Sequence, residues 1–294
     1  MKDVLLLGHN GQLGTEFQHT QMFKDGRVII DDSFRFNATD SYEKFRDYFL
    51  TLITPETKYV INCIAANDVN NIELLDSFYY NAQIINETLP TYLAIFCFEC
   101  NLTMFHFSTD YVYETTAIVN PLNRYGYTKL FGEKNVKQFL TNHFIFRVSS
   151  LFGRKGNNFL EKILQLAKNG EVKIKAGNIC SPTSAWDLAK AVEYFIDNEI
   201  RDYGTYNVCN RYQGAIKGIN SFAFAYGYIK HIDNDALNNM KYVYCFPENV
   251  KRPKYVELSD TSFEKLYKMS YLHEAIIEYI DNRTSYLEEN HDNI

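Results

Sequence analysis

The chain has 294 residues, of which 46% are hydrophobic and 22% are charged, and its formal net charge is −6. These values are ordinary for a globular chain of one or two domains, and an acidic chain without a Lys/Arg block is not a general nucleic-acid binder. No apolar run approaches the roughly 20 residues that a membrane span needs, and a strand beginning by Val4 leaves no room for a signal peptide. The six cysteines are scattered, and Cys97 and Cys100 have no second pair with which to bind a metal. We therefore expect a cytoplasmic protein with no metal site.

The first predicted element is a buried parallel strand at residues 3–7, which leads through the turn GHNGQLG at residues 8–14 into a helical pattern. A glycine-rich turn between a strand and a helix brings backbone N–H groups to one point, where they can bind a pyrophosphate. Gly8 would permit the tight turn, Gly11 the close approach of the phosphate, and Gly14 the packing of the helix on the strand.

The second predicted strand, at residues 27–30, ends in two acids, Asp31 and Asp32, and Arg35 follows them. An acid at this place commonly binds the ribose hydroxyls, and an arginine just beyond it accommodates a 2′-phosphate. Both residue types are present, so the choice between NAD and NADP stays open. Ser33 and Arg35 favour NADPH.

Strands and helices alternate through the first half of the chain. The pattern predicts helices at residues 44–53, 74–100 (interrupted near Pro90) and 125–140, and strands at residues 59–66, 102–108 and 143–148. This alternation is typical of an α/β protein with a doubly wound parallel sheet, the Rossmann fold, in which ligands bind at the carboxyl ends of the strands. Gly8, Asp31, Ala66 and Thr109 all fall at such ends.

The second half is less regular. We predict helices at residues 160–168, 186–197 and 271–280, strands at residues 172–175, 205–208 and 241–246, and a polar tail after Asp281 that frays. The expected organisation is a dinucleotide-binding domain at residues 1–152, to which the chain returns at about 178–210, and a smaller substrate-binding lobe that contains most of residues 153–294.

Tyr125 and Lys129 are four residues apart on a predicted helix and therefore share one face. An ammonium close to a phenol favours the phenolate and lowers a tyrosine pKa that is otherwise about 10. The hydroxyl of Thr109, at the end of the preceding strand, could bind the same substrate oxygen. Together the three side chains predict a proton relay at a carbonyl or carbinol oxygen. The alternative is a chance pair on an exposed helix face, where this spacing is common.

The motifs, taken together, resemble the extended short-chain dehydrogenase/reductase family. The matching segments occur in the family order and span about residues 4 to 255: GHNGQLG (8–14), VINCIAA (60–66), FSTDYVY (107–113), YGYTKLFGE (125–133), GNNF (156–159), PT with DLA (182–183 and 187–189) and RP (252–253).

The resemblance implies a reductase that transfers a hydride from NADPH, with NADH as an alternative, to the C4 ketone of a nucleotide-linked 6-deoxy sugar. Its implied catalytic residues are Thr109, Tyr125 and Lys129, with Tyr125 as the proton donor. The implied cofactor-binding residues are Gly8, Asn10, Gly11, Gln12, Leu13, Asp31, Asp32, Arg35, Cys63, Ala65, Ala66, Asn81, Tyr125, Lys129 and Val148, where Asn81 would brace the wall formed by the two alanines. The implied substrate-binding residues are Asp110, Tyr111, Asn157, Asn158 and Arg252.

Three positions depart from the family pattern. Ser150 stands where a tryptophan is usual, and Asn70 and Asn37 stand where aspartates are usual. The cofactor residues thus match the family, whereas the sugar pocket is altered. The identities of the sugar and of the base therefore stay open, and so does the formation of a homodimer.

Two other functions stay open as alternatives. One is a bifunctional 3,5-epimerase/4-reductase of a UDP- or GDP-linked keto-sugar, but such relatives have a cysteine where this chain has Tyr111. The other is a non-catalytic regulatory subunit of the methionine adenosyltransferase type, which the complete set of Thr109, Tyr125 and Lys129 disfavours.

Overall fold

The structure is a computed structural model that describes residues 2–37, 39–116, 118–156, 158–213, 218–244, 249–258 and 261–290. In chain order its strands are β1 (Val4–Leu7), β2 (Val28–Ile30), β3 (Tyr59–Asn62), β4 (Thr103–Thr109), β5 (His143–Phe152), β6 (Val172–Lys175), β7 (Ile179–Cys180), β8 (Pro182–Ser184), β9 (Gly204–Asn207), β10 (Ile219–Asn220) and β11 (Met240–Val243).

The helices lie between these strands. In chain order they are α1 (Gln12–Phe17), α2 (Gln21–Lys24), α3 (Tyr42–Leu52), α4 (Val69–Leu74), α5 (Asp76–Gln83), α6 (Leu89–Glu99), α7 (Arg124–Phe139), α8 (Phe159–Asn169), α9 (Ala185–Asp197), α10 (Ser221–Ile232), α11 (Asn234–Asn238), α12 (Thr261–Leu266) and α13 (Leu272–Asn290). Within the described ranges, none of them combines the length and apolar character that crossing a bilayer requires.

The main sheet has seven strands in the order β2-β1-β3-β4-β5-β8, and β9 also pairs with β5. All of these pairings are parallel. Every residue of β4 is buried, as expected for a central strand covered by helices on both faces. The prediction of a doubly wound α/β fold is confirmed.

Two hydrophobic clusters cover the faces of this sheet. One packs α1 and α9 against it around Phe17, Phe146 and Phe195, and the other packs α3 and α6 around Phe49 and Phe96. A third cluster reaches the main sheet only at Phe152, the last residue of β5, and otherwise lies among α8, α10, α13 and β6, where it includes Leu164, Phe224 and Tyr279. The predicted division into two domains stays a prediction, and this third cluster is the core that a separate lobe would need.

The helix predicted at residues 74–100 is divided differently from the expectation. The chain breaks at Leu75, whose backbone is extended, and a π-helical turn, Ile84–Thr88, joins α5 to α6. Pro90 lies in the first turn of α6, where its missing N–H costs little. The prediction of a frayed tail after Asp281 was wrong up to Asn290, because α13 continues to that residue. Residues 291–294 of the predicted tail lie outside the described residues.

Candidate functional site

A cavity of about 520 Å³ lies at the carboxyl ends of the central strands, where ligands bind in sheets of this type. Its lining comes from the glycine turn, from the ends of β3, β4 and β5, and from α7. The lining residues are Gly11, Gln12, Leu13, Asn62, Cys63, Ile64, Ala65, Asn67, Val69, Phe107, Ser108, Thr109, Asp110, Tyr111, Tyr125, Lys129, Val148, Ser150, Leu151 and Asn158.

The glycine turn has no room for side chains at two of its positions. Gly8 has a φ of +74°, and a Cβ there would lie 2.9 Å from the backbone of Cys63. A Cβ on Gly14 would lie 2.1 Å from the carbonyl oxygen of Gly8. The turn therefore packs α1 directly on the end of β1, and Gly11, Gln12 and Leu13 line the cavity. This arrangement fits the pyrophosphate of a dinucleotide.

The acids after β2 do not line this cavity. Asp31 accepts hydrogen bonds from Tyr48 and from Ser33, the latter at 2.7 Å. Asp32 pairs with His9 at 2.7 Å and accepts from Asn10 at 3.3 Å, yet its side chain is 78% exposed. A ribose could therefore reach Asp32 more readily than Asp31.

Arg35 folds back on its own loop. Its guanidinium donates to the carbonyl oxygens of Asp32 at 2.8 Å and of Phe34 at 2.7 Å. It also lines a separate cavity of about 200 Å³ with Phe34, Lys44 and Tyr48. The cations Arg35 and Lys44 suit the 2′-phosphate of NADPH, whereas the acids Asp31 and Asp32 suit the ribose hydroxyls of NADH. This loop therefore does not distinguish the two cofactors.

The predicted catalytic residues converge on the main cavity. Tyr125 and Lys129 lie on α7, which begins with Asn123 accepting a hydrogen bond from the N–H of Gly126 at 2.8 Å. Thr109 is the last residue of β4. It pairs with Val148 of β5, which also lines the cavity. Tyr125 is 8% exposed and Lys129 is 2% exposed, which excludes the alternative of an exposed pair.

The pKa of Tyr125 runs opposite to the sequence expectation. Burial raises the pKa of Tyr125 above its ordinary value, and a hydrogen bond between Tyr125 and Thr109 opposes the rise only in part. Lys129 donates instead to the carbonyl oxygen of Phe107 at 2.7 Å. Burial lowers the pKa of Lys129 to about 8, against the opposing charge of Glu133. The expected lowering of the Tyr125 pKa was therefore wrong, because desolvation of the phenol is the largest effect and Lys129 directs its ammonium to Phe107.

Asp110 and Tyr111 follow Thr109 and both line the cavity. The carboxylate of Asp110 accepts from Ser149 at 2.6 Å and from Thr109 at 3.1 Å. Burial raises the pKa of Asp110 to about 6, although these hydrogen bonds oppose the rise. The ring of Tyr111 meets the ring of Tyr125 edge to face, with 5.6 Å between their centroids.

The wall after β3 is braced by Asn86, not by Asn81. Asn86 accepts from the N–H of Ala66 at 3.0 Å and donates to the carbonyl oxygen of Ala66 at 2.9 Å and to Thr128 at 3.0 Å. Asn81 is exposed on α5. Cys63, Ala65 and Val148 line the cavity as predicted, whereas Ala66 is held just behind it.

On the expected substrate side, Asn158 has no free hydrogen-bonding capacity. Its amide oxygen accepts from Leu160 N at 3.0 Å and Glu161 N at 3.2 Å, and its amide nitrogen donates to Gly153 and Tyr279. Asn158 thus caps α8 and shapes the cavity wall. Asn157 lies outside the described residues.

Arg252 does not line the described cavity. Its guanidinium donates to the amide oxygen of Asn70 at 2.6 Å, so a neutral side chain holds it beside α4. Ser150, at the position where the family has a tryptophan, lines the cavity with a φ of +43°.

Sequence reasoning missed Ser149 and Asn86. Ser149 follows Arg147 on β5, and nothing in its local pattern indicates a partner on another strand. Asn86 carries a weak signal, since a polar residue that stands between Ile85 and Leu89 in an apolar helical pattern is a candidate for a buried hydrogen bond.

Comparison with known proteins agrees with this geometry. The fold and the cavity define an oxidoreductase of the extended short-chain dehydrogenase/reductase type. Within that class the chain belongs to the family described as RmlD substrate binding domain, which matches residues 1–284. The resemblance predicted from the motifs, to the dTDP-4-dehydrorhamnose reductases within the extended family, is confirmed.

Three known reductases are similar to this chain in sequence or in structure. The dTDP-4-dehydrorhamnose reductase of Escherichia coli (strain K12) is 32% identical over 204 residues, which cover 66% of this chain and 67% of the relative. The crystal structure of a dTDP-4-dehydrorhamnose reductase from Clostridium acetobutylicum ATCC 824 superposes with a TM-score of 0.80 at 30% identity and covers 95% of this chain and 98% of that one. The dTDP-4-dehydrorhamnose reductase from Bacillus anthracis str. Ames in complex with NADP gives a TM-score of 0.83 at 25% identity and covers 96% of this chain and 99% of that one.

Proposed function

We propose that this chain is an NADPH-dependent reductase of the C4 ketone of a nucleotide-linked 4-keto-6-deoxy sugar, in the biosynthesis of a deoxysugar such as dTDP-rhamnose. The observation that carries the proposal is the convergence of Thr109, Tyr125 and Lys129 on the cavity that the glycine turn also lines. A hydroxyl, a phenol and an ammonium beside a dinucleotide cradle are what the reduction of a ketone requires.

The residues that would hold the cofactor are those of the glycine turn, with Cys63, Ala65 and Val148 along the wall. Bound NADPH, or NADH as the alternative, would supply the hydride. The Bacillus anthracis relative was solved in complex with NADP, which supports NADPH as the cofactor to try first. Asp32 is the group for the ribose hydroxyls, and Lys129 would hold the second ribose beside Tyr125.

Tyr125 would give its proton to the ketone oxygen as the C–H bond forms at the carbonyl carbon. Its raised pKa keeps the phenol protonated at neutral pH, so Tyr125 holds the proton that the reduction needs. Lys129, with a pKa of about 8, can return a proton to the phenolate that results. All three groups are buried, so few water molecules can compete with a substrate oxygen for their hydrogen bonds.

The substrate class follows from the relatives' names and from Arg252. The relatives act on a dTDP-linked dehydro-sugar according to their names. The guanidinium of Arg252 donates to the neutral amide of Asn70, so a diphosphate of the substrate could pair with its charge. Because Ser150 replaces a large aromatic side chain, we leave the sugar and the base to experiment.

The test is loss of nicotinamide absorbance with NADPH and with NADH. The substrates are dTDP-, UDP- and GDP-linked 4-keto-6-deoxy sugars, each with and without a separate 3,5-epimerase. We expect oxidation of NADPH with a dTDP-linked substrate only when the epimerase is present.

The other results distinguish the alternatives. Oxidation without the epimerase, with inverted centres in the product, would identify a bifunctional epimerase/reductase. Tight NADPH binding with no oxidation by any substrate would contradict the proposal and favour a regulatory subunit. The predicted homodimer and cytoplasmic location stay predictions, of which light scattering would test the first.

A further inference from the structure

Asp110 is a buried acid in direct contact with a proposed catalytic hydroxyl. Its two carboxylate oxygens are both occupied, since Thr109 Oγ1 donates to Oδ1 at 3.1 Å and Ser149 Oγ donates to Oδ2 at 2.6 Å. The residue is 8% exposed and also lines the cavity. The state of this carboxylate therefore determines what Thr109 can offer to a substrate.

The hydroxyl of Thr109 has too few protons to serve both Asp110 and a substrate. A threonine hydroxyl has one proton to donate and two lone pairs with which to accept. Thr109 Oγ1 accepts from the N–H of Tyr111 at 3.2 Å and its single proton is directed to Asp110, so Thr109 is the acceptor in its hydrogen bond with Tyr125. In this arrangement Thr109 has no proton for a ketone oxygen and can only accept. A protonated Asp110 can instead donate to the lone pair of Thr109 that otherwise accepts from Tyr125, which frees the threonine proton for the substrate.

We infer that Asp110 is a positioning residue that must carry a proton for Thr109 to donate a hydrogen bond to the ketone oxygen. The inference rests on the proposed function, since it concerns the same reaction. Asp110 acts by turning the hydroxyl of Thr109, and it neither gains nor loses a proton over the catalytic cycle. Ser149 sets how readily Asp110 takes up its proton, because its hydrogen bond stabilises the ionised form.

The neighbouring groups do not titrate in the same range. Asp110 faces Tyr111 on its own turn, Tyr125 and Lys129 from α7, and Cys180 from β7. Burial raises the pKa of Tyr125 above its ordinary value and the pKa of Cys180 to about 12. Burial lowers the pKa of Lys129 only to about 8, whereas it raises the pKa of Asp110 to about 6. A titration near the pKa of Asp110 can therefore be distinguished from that of Lys129.

The experiment measures kcat and KM between about pH 5 and pH 9 for the wild type, Asp110→Asn and Ser149→Ala, with the substrate that the panel identifies. Wild-type kcat should fall by about tenfold per pH unit above the pKa of Asp110 until the residual rate of the ionised form is reached. Asp110→Asn should lose this decline, because an amide can donate to Thr109 at every pH. Ser149→Ala should move the decline to higher pH, because it removes a hydrogen bond that holds the pKa of Asp110 down.

A wild type with no decline near the pKa of Asp110, or an Asp110→Asn profile that keeps it, would overturn the inference. If Asp110 has only a structural role, each variant should lower kcat by a factor that does not change with pH. This result would also overturn the inference. If Asp110→Asn does not fold, Ser149→Ala tests the inference instead. A decline in kcat that does not move to higher pH in this variant would overturn the inference. Absence of turnover by the wild type with every substrate would refute the proposed function itself, and the inference with it.

Discussion

Asn86 fixes the wall of the cavity through the backbone of one residue. Its side-chain amide pairs with both the N–H and the carbonyl oxygen of Ala66, in the manner of a strand neighbour, and also reaches Thr128 on α7. The residue is 1% exposed, so water cannot replace these hydrogen bonds. A single side chain thus ties the end of β3 to α7, which carries Tyr125 and Lys129.

Asn86→Ala should therefore lower the free energy of unfolding by about 1–3 kcal/mol and weaken NADPH binding, because buried polar groups of Ala66 lose their partners. Urea denaturation and fluorescence titration with NADPH measure the two effects. Asn81→Ala is the matched control, and as a change at an exposed position it should stay within about 0.5 kcal/mol of the wild type. Equal effects of the two substitutions would contradict the assignment of the brace to Asn86.

At the scale of elements, the contact between α1 and β1 depends on a glycine. A Cβ on Gly14 would lie 2.1 Å from the carbonyl oxygen of Gly8 and 2.5 Å from the Cα of His9, both of them backbone atoms. Neither atom can move without lifting α1 from the sheet. Since α1 carries Gln12 and Leu13, the same displacement would widen the cavity at the proposed pyrophosphate site.

Gly14→Ala should therefore abolish NADPH binding and lower the melting temperature, as measured by titration and by thermal unfolding. The control is Gly227→Ala in the interior of α10, where the added Cβ meets its nearest neighbour, Ile276, at 3.9 Å. Alanine is the better helix former, so this control should be neutral or more stable by up to about 1 kcal/mol. Normal NADPH binding by Gly14→Ala would show that the turn does not form the proposed cradle.

How far the elements could be predicted from the sequence depended on whether their signals were local. The strand at residues 172–175 and the helix with Tyr125 and Lys129 follow from the local residue pattern, and their predicted bounds lie within a residue of the structure. Asn81 and Asn86 could not be told apart, because the π-helical turn at Ile84–Thr88 shifts the helical phase between them. The role of Asn158 depends on Tyr279, which is 121 residues away, and such long-range partners leave no local pattern.

At the scale of the whole molecule, a half-buried ionic network connects α8 to α13. Glu161 accepts from Arg283 through two hydrogen bonds, at 2.6 and 2.7 Å, and from Tyr279 at 2.7 Å, while Tyr279 also accepts from Asn158 at the cavity wall. Burial acts to raise the pKa of Glu161, but the hydrogen bonds from Arg283, Tyr228 and Tyr279 outweigh it, so the pKa of Glu161 is lowered. The C-terminal helix is thereby linked to the site through Asn158.

Arg283→Met should cost about 1–3 kcal/mol of unfolding free energy at about pH 7. A carboxyl whose pKa is lower in the folded state contributes stability above its unfolded pKa, about 4.3 for a glutamate, and loses that contribution as the pH falls through its folded value. The difference between Arg283→Met and wild type should therefore shrink on acidification, as measured by urea titrations at neutral and at acidic pH. The exposed Arg46, changed to Met, should have little effect at either pH. A loss for Arg283→Met that is independent of pH would contradict the account.

The measurement that tests the central claim most directly is the rate of NADPH oxidation by Tyr125→Phe with the substrate identified in the panel. The matched control is Tyr127→Phe, on the same helix but 43% exposed. If Tyr125 is the proton donor, its variant should bind NADPH like the wild type and lose at least about 100-fold in kcat, a typical contribution of an acid catalyst, while Tyr127→Phe keeps its rate. Turnover by Tyr125→Phe at the wild-type rate would contradict the assignment of Tyr125 as the proton donor and with it the proposed mechanism.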